Sequence, residues 1–221
     1  MTIAENIARI RANMDAAARE AGRDPKEILL VGASKMNDAA ACREAVAAGI
    51  DALGENRVQE MVQKLEQHAY DGAPLHFIGH LQRNKVKQVV GHVALIQSVG
   101  SLELLDEIEK VAAARGLVQD ILLEVNIGRE AAKSGFAPEK VLPAAEAALE
   151  RTHVRVRGLM TIPPADAQRD ANFRYFQEVQ ALYVDMNQKL FHNELEYLSM
   201  GMSGDYEDAI RAGATMVRVG S

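Results

Sequence analysis

Apolar residues fall in two patterns along this chain: solid runs, and stripes with helical spacing. Ile28-Leu29-Leu30-Val31-Gly32-Ala33-Ser34-Lys35 is a solid run that ends in a lysine. A run without alternation predicts a strand buried on both faces, as in a parallel sheet. Similar runs recur over 51–56, 75–80, 93–98, 120–126, 154–161, 195–200 and 215–220. Between them lie stretches of helical period over 38–48, 58–68, 82–90, 102–115, 138–151 and 167–190, and a short one ending near Gly213. One more amphipathic helix, 2–21, precedes the first strand, with Ile3, Ile7, Ile10 and Met14 on one stripe and Gly22 as its stop.

Strict alternation of strand and helix predicts parallel strands joined by helical crossovers. Eight strands predict an α/β fold, a (β/α)8 TIM barrel with an extra N-terminal helix, forming a single domain over 1–221. A doubly wound open sheet is the alternative, but no Gly-x-Gly-x-x-Gly follows the first strand. No linker, internal repeat or low-complexity tract divides the chain.

Composition narrows the functional classes. The 221 residues are 48% hydrophobic, enough for one sizeable core. A net charge of −6 argues against a nucleic-acid surface. The single cysteine, Cys42, sits in a helical stretch and reads as a packed thiol without a disulfide partner. No apolar run is long enough to span a membrane and no signal-like start is present, so a cytoplasmic protein is expected. There is no His-Glu-x-x-His, Gly-x-Ser-x-Gly or P-loop, which disfavours zinc hydrolysis, nucleophile-elbow chemistry and P-loop NTPase activity.

The candidate chemistry lies at strand ends. Lys35 is expected at the carboxyl end of the first strand, where α/β proteins bind ligands. Apolar neighbours would shelter its amine, favour the neutral form and let it attack an aldehyde. Ser199-Met200-Gly201-Met202-Ser203-Gly204-Asp205 leaves the seventh strand, and Val217-Arg218-Val219-Gly220-Ser221 ends the eighth. In barrels these two loops recurrently hold phosphate, through backbone N–H groups and hydroxyls. The alternative for Ser203 is a helix cap. Arg218 lies inside an apolar strand and needs an acceptor, either a carboxylate such as Glu124 or Glu55, or a ligand. Asn56, His80 and Asn126 end strands two, three and five; each either lines the mouth or bonds its own loop. Lys133 follows strand five near the mouth, facing Glu130 or a ligand. Arg155 and Arg157 alternate with valines and are expected to face outward.

An aldehyde for Lys35, a phosphate for Ser199, Met202, Ser203, Gly204, Gly220 and Ser221, and an acceptor for Arg218 are all present in pyridoxal 5′-phosphate. Arg218 would donate to the pyridine nitrogen and keep it unprotonated, which makes the ring a weak electron sink.

Several stretches resemble the YggS/PROSC family of pyridoxal phosphate homeostasis proteins: 31–35 (Val-Gly-Ala-Ser-Lys), 54–60 (Gly-Glu-Asn-Arg-Val-Gln-Glu), 76–85 (His-Phe-Ile-Gly-His-Leu-Gln-Arg-Asn-Lys), 158–162, 198–203 and 217–221. The resemblance runs nearly end to end. It implies a barrel similar to the N-terminal domain of alanine racemases, the cofactor as a Schiff base on Lys35, and a role in cofactor homeostasis with no established catalysis. It also implies a further short C-terminal segment. Apo enzymes that use pyridoxal phosphate are the expected partners, and a monomer is expected. Two other readings are a weak pyridoxal-dependent amino-acid racemase and a barrel enzyme using a Lys35 imine on a sugar phosphate. The racemase lacks an evident second acid/base, since Tyr197 lies mid-strand and no extra domain supplies a tyrosine.

Overall fold

In the computed structural model, which describes residues 1–220, the eight apolar runs become parallel strands that close into a barrel in chain order. They are β1 (Leu29–Ala33), β2 (Ala52–Glu55), β3 (Leu75–Phe77), β4 (Leu95–Val99), β5 (Gln119–Val125), β6 (Val154–Thr161), β7 (Tyr197–Ser199) and β8 (Met216–Val219). Closure comes from β8 pairing back onto β1, with Leu29 opposite Met216 and Val31 opposite Arg218.

Helices α1 (Ile3–Glu20), α2 (Ala39–Ala47), α3 (Val58–Glu66), α4 (Leu102–Ala114), α5 (Val141–Leu149), α6 (Arg169–Leu190) and α7 (Tyr206–Arg211) surround the barrel. Thr2 starts α1 through a capping box, in which its side chain accepts from the Glu5 amide and Glu5 reaches back to the Thr2 amide. Asp38 and Ser101 cap α2 and α4 in the same general way. α1 packs beside α7 and α2, and the Arg23 guanidinium ties the end of this layer to the Ile210 and Ala214 carbonyls.

The core has two layers. Val31, Ala52, Leu95, Leu122, Met160 and Met216 fill the barrel interior. A larger apolar layer, with Leu30, Phe77, Ile96 and Leu123 on its strand side, separates barrel from helices. Buried side chains of this size each stabilise by roughly 1.5–3 kcal/mol.

The crossover after β3 departs from expectation. Residues 82–90 are expected as an α-helix, but only a 3₁₀ segment, Arg83–Gln88, forms. Gln82 supplies no side-chain cap, and Val86, Val89 and Val90 are β-branched and buried, so packing overrides a weak helical preference. Arg155 and Arg157 do face outward, paired with Asp120.

Candidate functional site

The barrel's carboxyl end opens on a cleft of about 700 Å³ between the loop after β6, the β7–α7 turn and Arg218. Such a volume suits a small-molecule ligand. The turn begins at Gly201, which has φ 103°. A β-carbon there would stand 2.7 Å from that of Ala209, so only glycine lets the turn tuck under α7. The Gly201 carbonyl accepts the Arg218 amide at 2.9 Å, which joins the two predicted phosphate segments. They meet again where the Gly220 amide donates to the Ser203 hydroxyl at 3.2 Å. Ser203 therefore faces β8 and does not cap α7. Asp205 steadies the turn, accepting from the Met202 amide at 2.7 Å and the Asn172 side chain at 2.9 Å. The Ser203 and Gly204 amides have no acceptor among the described residues and stand on exposed backbone. The Ser221 assignment lies outside the described residues.

Arg218 is buried, at 4% exposure, yet forms no ion pair among the described residues; neither Glu124 nor Glu55 reaches it. Its guanidinium donates to the Ser199 hydroxyl and to the Thr161 carbonyl, the latter at 3.0 Å. Burial pulls its pKa down to about 10, partly opposed by the nearby charges of Asp205 and Glu124. A charged, desolvated guanidinium with donors left over calls for an acceptor in the cleft it lines.

Ser199 differs from expectation. It is fully buried, and its hydroxyl donates inward to Gln97 Oε1 at 2.6 Å. The side chain thus braces Arg218 and is not free as a phosphate donor in this structure. Gln97 Nε2 lies 2.9 Å from His76 Nδ1, so a directed chain of donors crosses the barrel from Arg218 through Ser199 and Gln97 to His76. Burial lowers the His76 pKa to about 4, so the imidazole is neutral at neutral pH and its Nδ1 accepts.

Lys35 also stands differently from its sequence expectation. β1 ends at Ala33, and Ser34–Asn37 form a turn closed by the Asn37 amide on the Ser34 carbonyl at 3.0 Å. Met36, its third residue, has φ 63°. The turn lifts Lys35 into an exposed position, outside the cleft and without the apolar shelter a longer strand would provide. The backbone still brings it close to the end of β8. Lys35 is in phase with the inward residues Leu29 and Val31, and a β-carbon on Gly220 would lie 3.7 Å from Ala33.

Across Ile162, which lines both spaces, lies a smaller lobe of about 240 Å³ that includes Asn56, His80, Ser98, Glu124 and Lys133. Asn56 is pinned by Gly79, whose β-carbon would come within 2.1 Å of the Asn56 carbonyl. Burial raises the Glu124 pKa, with Arg218 acting against it. Lys133 pairs with Glu130 at 3.2 Å. Asn126 bonds its own loop through Glu130. Among the described residues no group of side chains suits a metal ion, and no helix is long and apolar enough to cross a membrane.

Three participants have roles that no motif reveals. Gln97 and His76 are polar positions inside apolar strands, the same signal that marks Arg218. Lys64 follows Met61 by one helical turn, and both are buried, so helical period alone places it on the inner face of α3.

Fold and site together define a (β/α)8 barrel with a glycine- and serine-rich turn joined to β8 at the exit of β7, and a lysine just past the exit of β1. The family model described as the N-terminal domain of alanine racemase matches residues 6–221. A pyridoxal phosphate homeostasis protein of Aquifex aeolicus is 41% identical over 221 residues, spanning all of this chain and 96% of that one. One from Pseudomonas aeruginosa is 41% identical over 220 residues, spanning 94% of its length. Among solved structures, PipY of Synechococcus elongatus with PLP bound superposes with a TM-score of 0.85 at 31% identity, over 99% of this chain and 98% of that one. The chain belongs to the alanine racemase N-terminal domain family and, within it, to the pyridoxal phosphate homeostasis proteins.

Proposed function

We propose that this chain binds pyridoxal 5′-phosphate at the barrel mouth, attaches it covalently through Lys35, and serves cofactor homeostasis as a carrier without turnover. The observation that carries the reading is Arg218, a buried cation with no carboxylate partner among the described residues, which donates to Ser199 and Thr161 and lines a cleft beside an exposed pair of amides. The group itself supplies an aldehyde able to condense with a primary amine. The chain's residues do the rest. The Ser203 and Gly204 amides, with Ser203 Oγ and the Gly220 backbone, hold the phosphate. Arg218 donates to the ring nitrogen and keeps a proton off it, while Ser199 and Gln97 fix the guanidinium's orientation. Asn56 borders the ring side, and Met202 covers the cleft from the solvent face.

Lys35 lies two residues beyond Ala33 and in phase with the inward Leu29 and Val31, and its flexible four-carbon stem carries the amine from the turn toward the mouth. Relatives named for pyridoxal phosphate homeostasis, and a PLP-bound relative, support the choice of ligand. A carrier role is the reading supported by the relatives' names, which state homeostasis and no reaction. The protein acts as a cytoplasmic monomer, and recipients are apo enzymes that use the same cofactor. Equilibrium dialysis of pyridoxal phosphate against wild type and Arg218→Gln tests the reading; equal retention by the two proteins overturns it.

A further inference from the structure

Beneath the Lys35 turn sits a buried charged cluster that the cradle does not use. Lys64 on α3 is 7% exposed at its side chain, and Glu55 at the end of β2 is fully buried. The Lys64 ammonium donates to the Ser34 carbonyl at 2.8 Å, to Glu55 Oε1 at 3.0 Å and to Glu60 Oε1 at 2.9 Å. Its three protons are therefore all spent. Glu60 in turn accepts the Met36 amide at 2.9 Å. The Ser34 hydroxyl donates to Glu55, and the Ser34 amide is held by the Gly54 carbonyl at 2.9 Å.

These bonds converge on the two residues that flank Lys35. Ser34 is fixed through its amide, carbonyl and hydroxyl, and Met36 through its amide. Lys35's own peptide groups receive only a long bond, 3.4 Å, from the Asn37 side chain to its carbonyl. Met36 holds a left-handed conformation, with φ 63°, that methionine adopts only when its surroundings over-determine it. A buried ion pair contributes little net stability, because desolvation offsets its attraction. The geometry instead serves the placement of a loop.

We propose that Lys64, with Glu55 and Glu60, is the positioning group for Lys35: it clamps the peptide groups on either side and so sets where the amine is presented to an aldehyde. The proposal rests on the reading that Lys35 is the attachment point. Burial works against the Lys64 charge, but the bonds to Glu60 and Glu55 outweigh it and hold the ammonium above its ordinary pKa, so Lys64 stays charged through the neutral range.

Lys64→Met would strand the Glu55 carboxylate in the core and endanger folding, so the test uses Glu60, which is 24% exposed. Glu60→Leu removes the acceptor for the Met36 amide; Glu60→Gln keeps an oxygen there. In the ligand-free protein, Glu60→Leu is expected to speed hydrogen exchange at the Met36 amide, and Glu60→Gln to leave it near wild type. With pyridoxal 5′-phosphate, Glu60→Leu is expected to weaken covalent attachment at Lys35 roughly tenfold, the size of one hydrogen bond to a charged acceptor. Binding of pyridoxine 5′-phosphate, which has no aldehyde, is expected to stay unchanged, because the cradle is untouched. Wild-type attachment by Glu60→Leu, or equal weakening in Glu60→Gln, overturns the positioning role while leaving Lys35 as the attachment point. Absence of a Lys35 adduct in the wild type overturns both.

Discussion

The Gly220 amide donates to the Ser203 hydroxyl across 3.2 Å, and this bond joins the end of β8 to the turn that leaves β7. With the Arg218 amide on the Gly201 carbonyl, it makes one cradle from two segments separated in sequence. Ser203 is exposed, so its replacement tests the cradle with little effect on the core. Ser203→Ala is expected to weaken pyridoxal phosphate binding about threefold to tenfold, the worth of one hydrogen bond, with an unchanged melting temperature. Isothermal titration calorimetry reads the first quantity and differential scanning calorimetry the second.

Arg218→Gln separates binding from folding. Its guanidinium is desolvated and pairs with no carboxylate among the described residues, so losing the bonds to Ser199 and Thr161 is offset by removing a buried charge. Stability of the ligand-free protein is expected to change by less than about 1 kcal/mol, while ligand affinity falls on the order of tenfold to a hundredfold. Urea unfolding and equilibrium dialysis measure the two. A large stability loss with intact binding would make Arg218 a structural residue.

Much of this site was legible in the sequence because it sits where patterns break. Arg218 interrupts an apolar strand, and Gly201 to Gly204 interrupt the path from strand to helix. β6 has the span its apolar run predicts, 154–161. The inward turn of Ser199 was not legible, because it depends on Gln97, 102 positions earlier. Nor was the exposure of Lys35, since nothing in the run 28–35 reveals that the ladder stops at Ala33. The Lys64–Glu55 pair is likewise a tertiary fact: helical period puts Lys64 inside, but only the fold supplies the carboxylate and the Ser34 carbonyl. The 3₁₀ segment over 83–88 escaped for the opposite reason, because local helical spacing is weaker evidence than the packing of Val86.

His76 makes stability depend on pH. Its folded pKa is about 4 against an ordinary value of 6.5, so between these values the unfolded chain binds the extra proton. Stability from this group is full above about pH 6.5 and is lost as pH falls toward 4, by on the order of 3 kcal/mol. Glu124, raised by burial, works in the opposite sense, so the comparison is made with His76→Asn. That variant is expected to show a shallower fall in unfolding free energy from pH 6.5 to 4.5 by denaturant titration. An identical slope in both proteins would mean that His76 takes up its proton in the fold as readily as in the unfolded chain.

Gly79→Ala probes the smaller lobe. Its β-carbon would fall within 2.1 Å of the Asn56 carbonyl, and backbone there has no flexible end to yield. A loss of roughly 2–4 kcal/mol is expected, seen as a lowered urea midpoint. A neutral effect would show that the loops after β2 and β3 move apart freely.

Attachment of the cofactor to the lysine after β1 is read by incubating the protein with pyridoxal 5′-phosphate, reducing with borohydride and mapping the product by peptide mass spectrometry. A phosphopyridoxyl group is expected on Lys35, absent from a Lys35→Ala protein that is otherwise folded. A label on Lys133 in place of Lys35, or no label at all, would contradict that attachment.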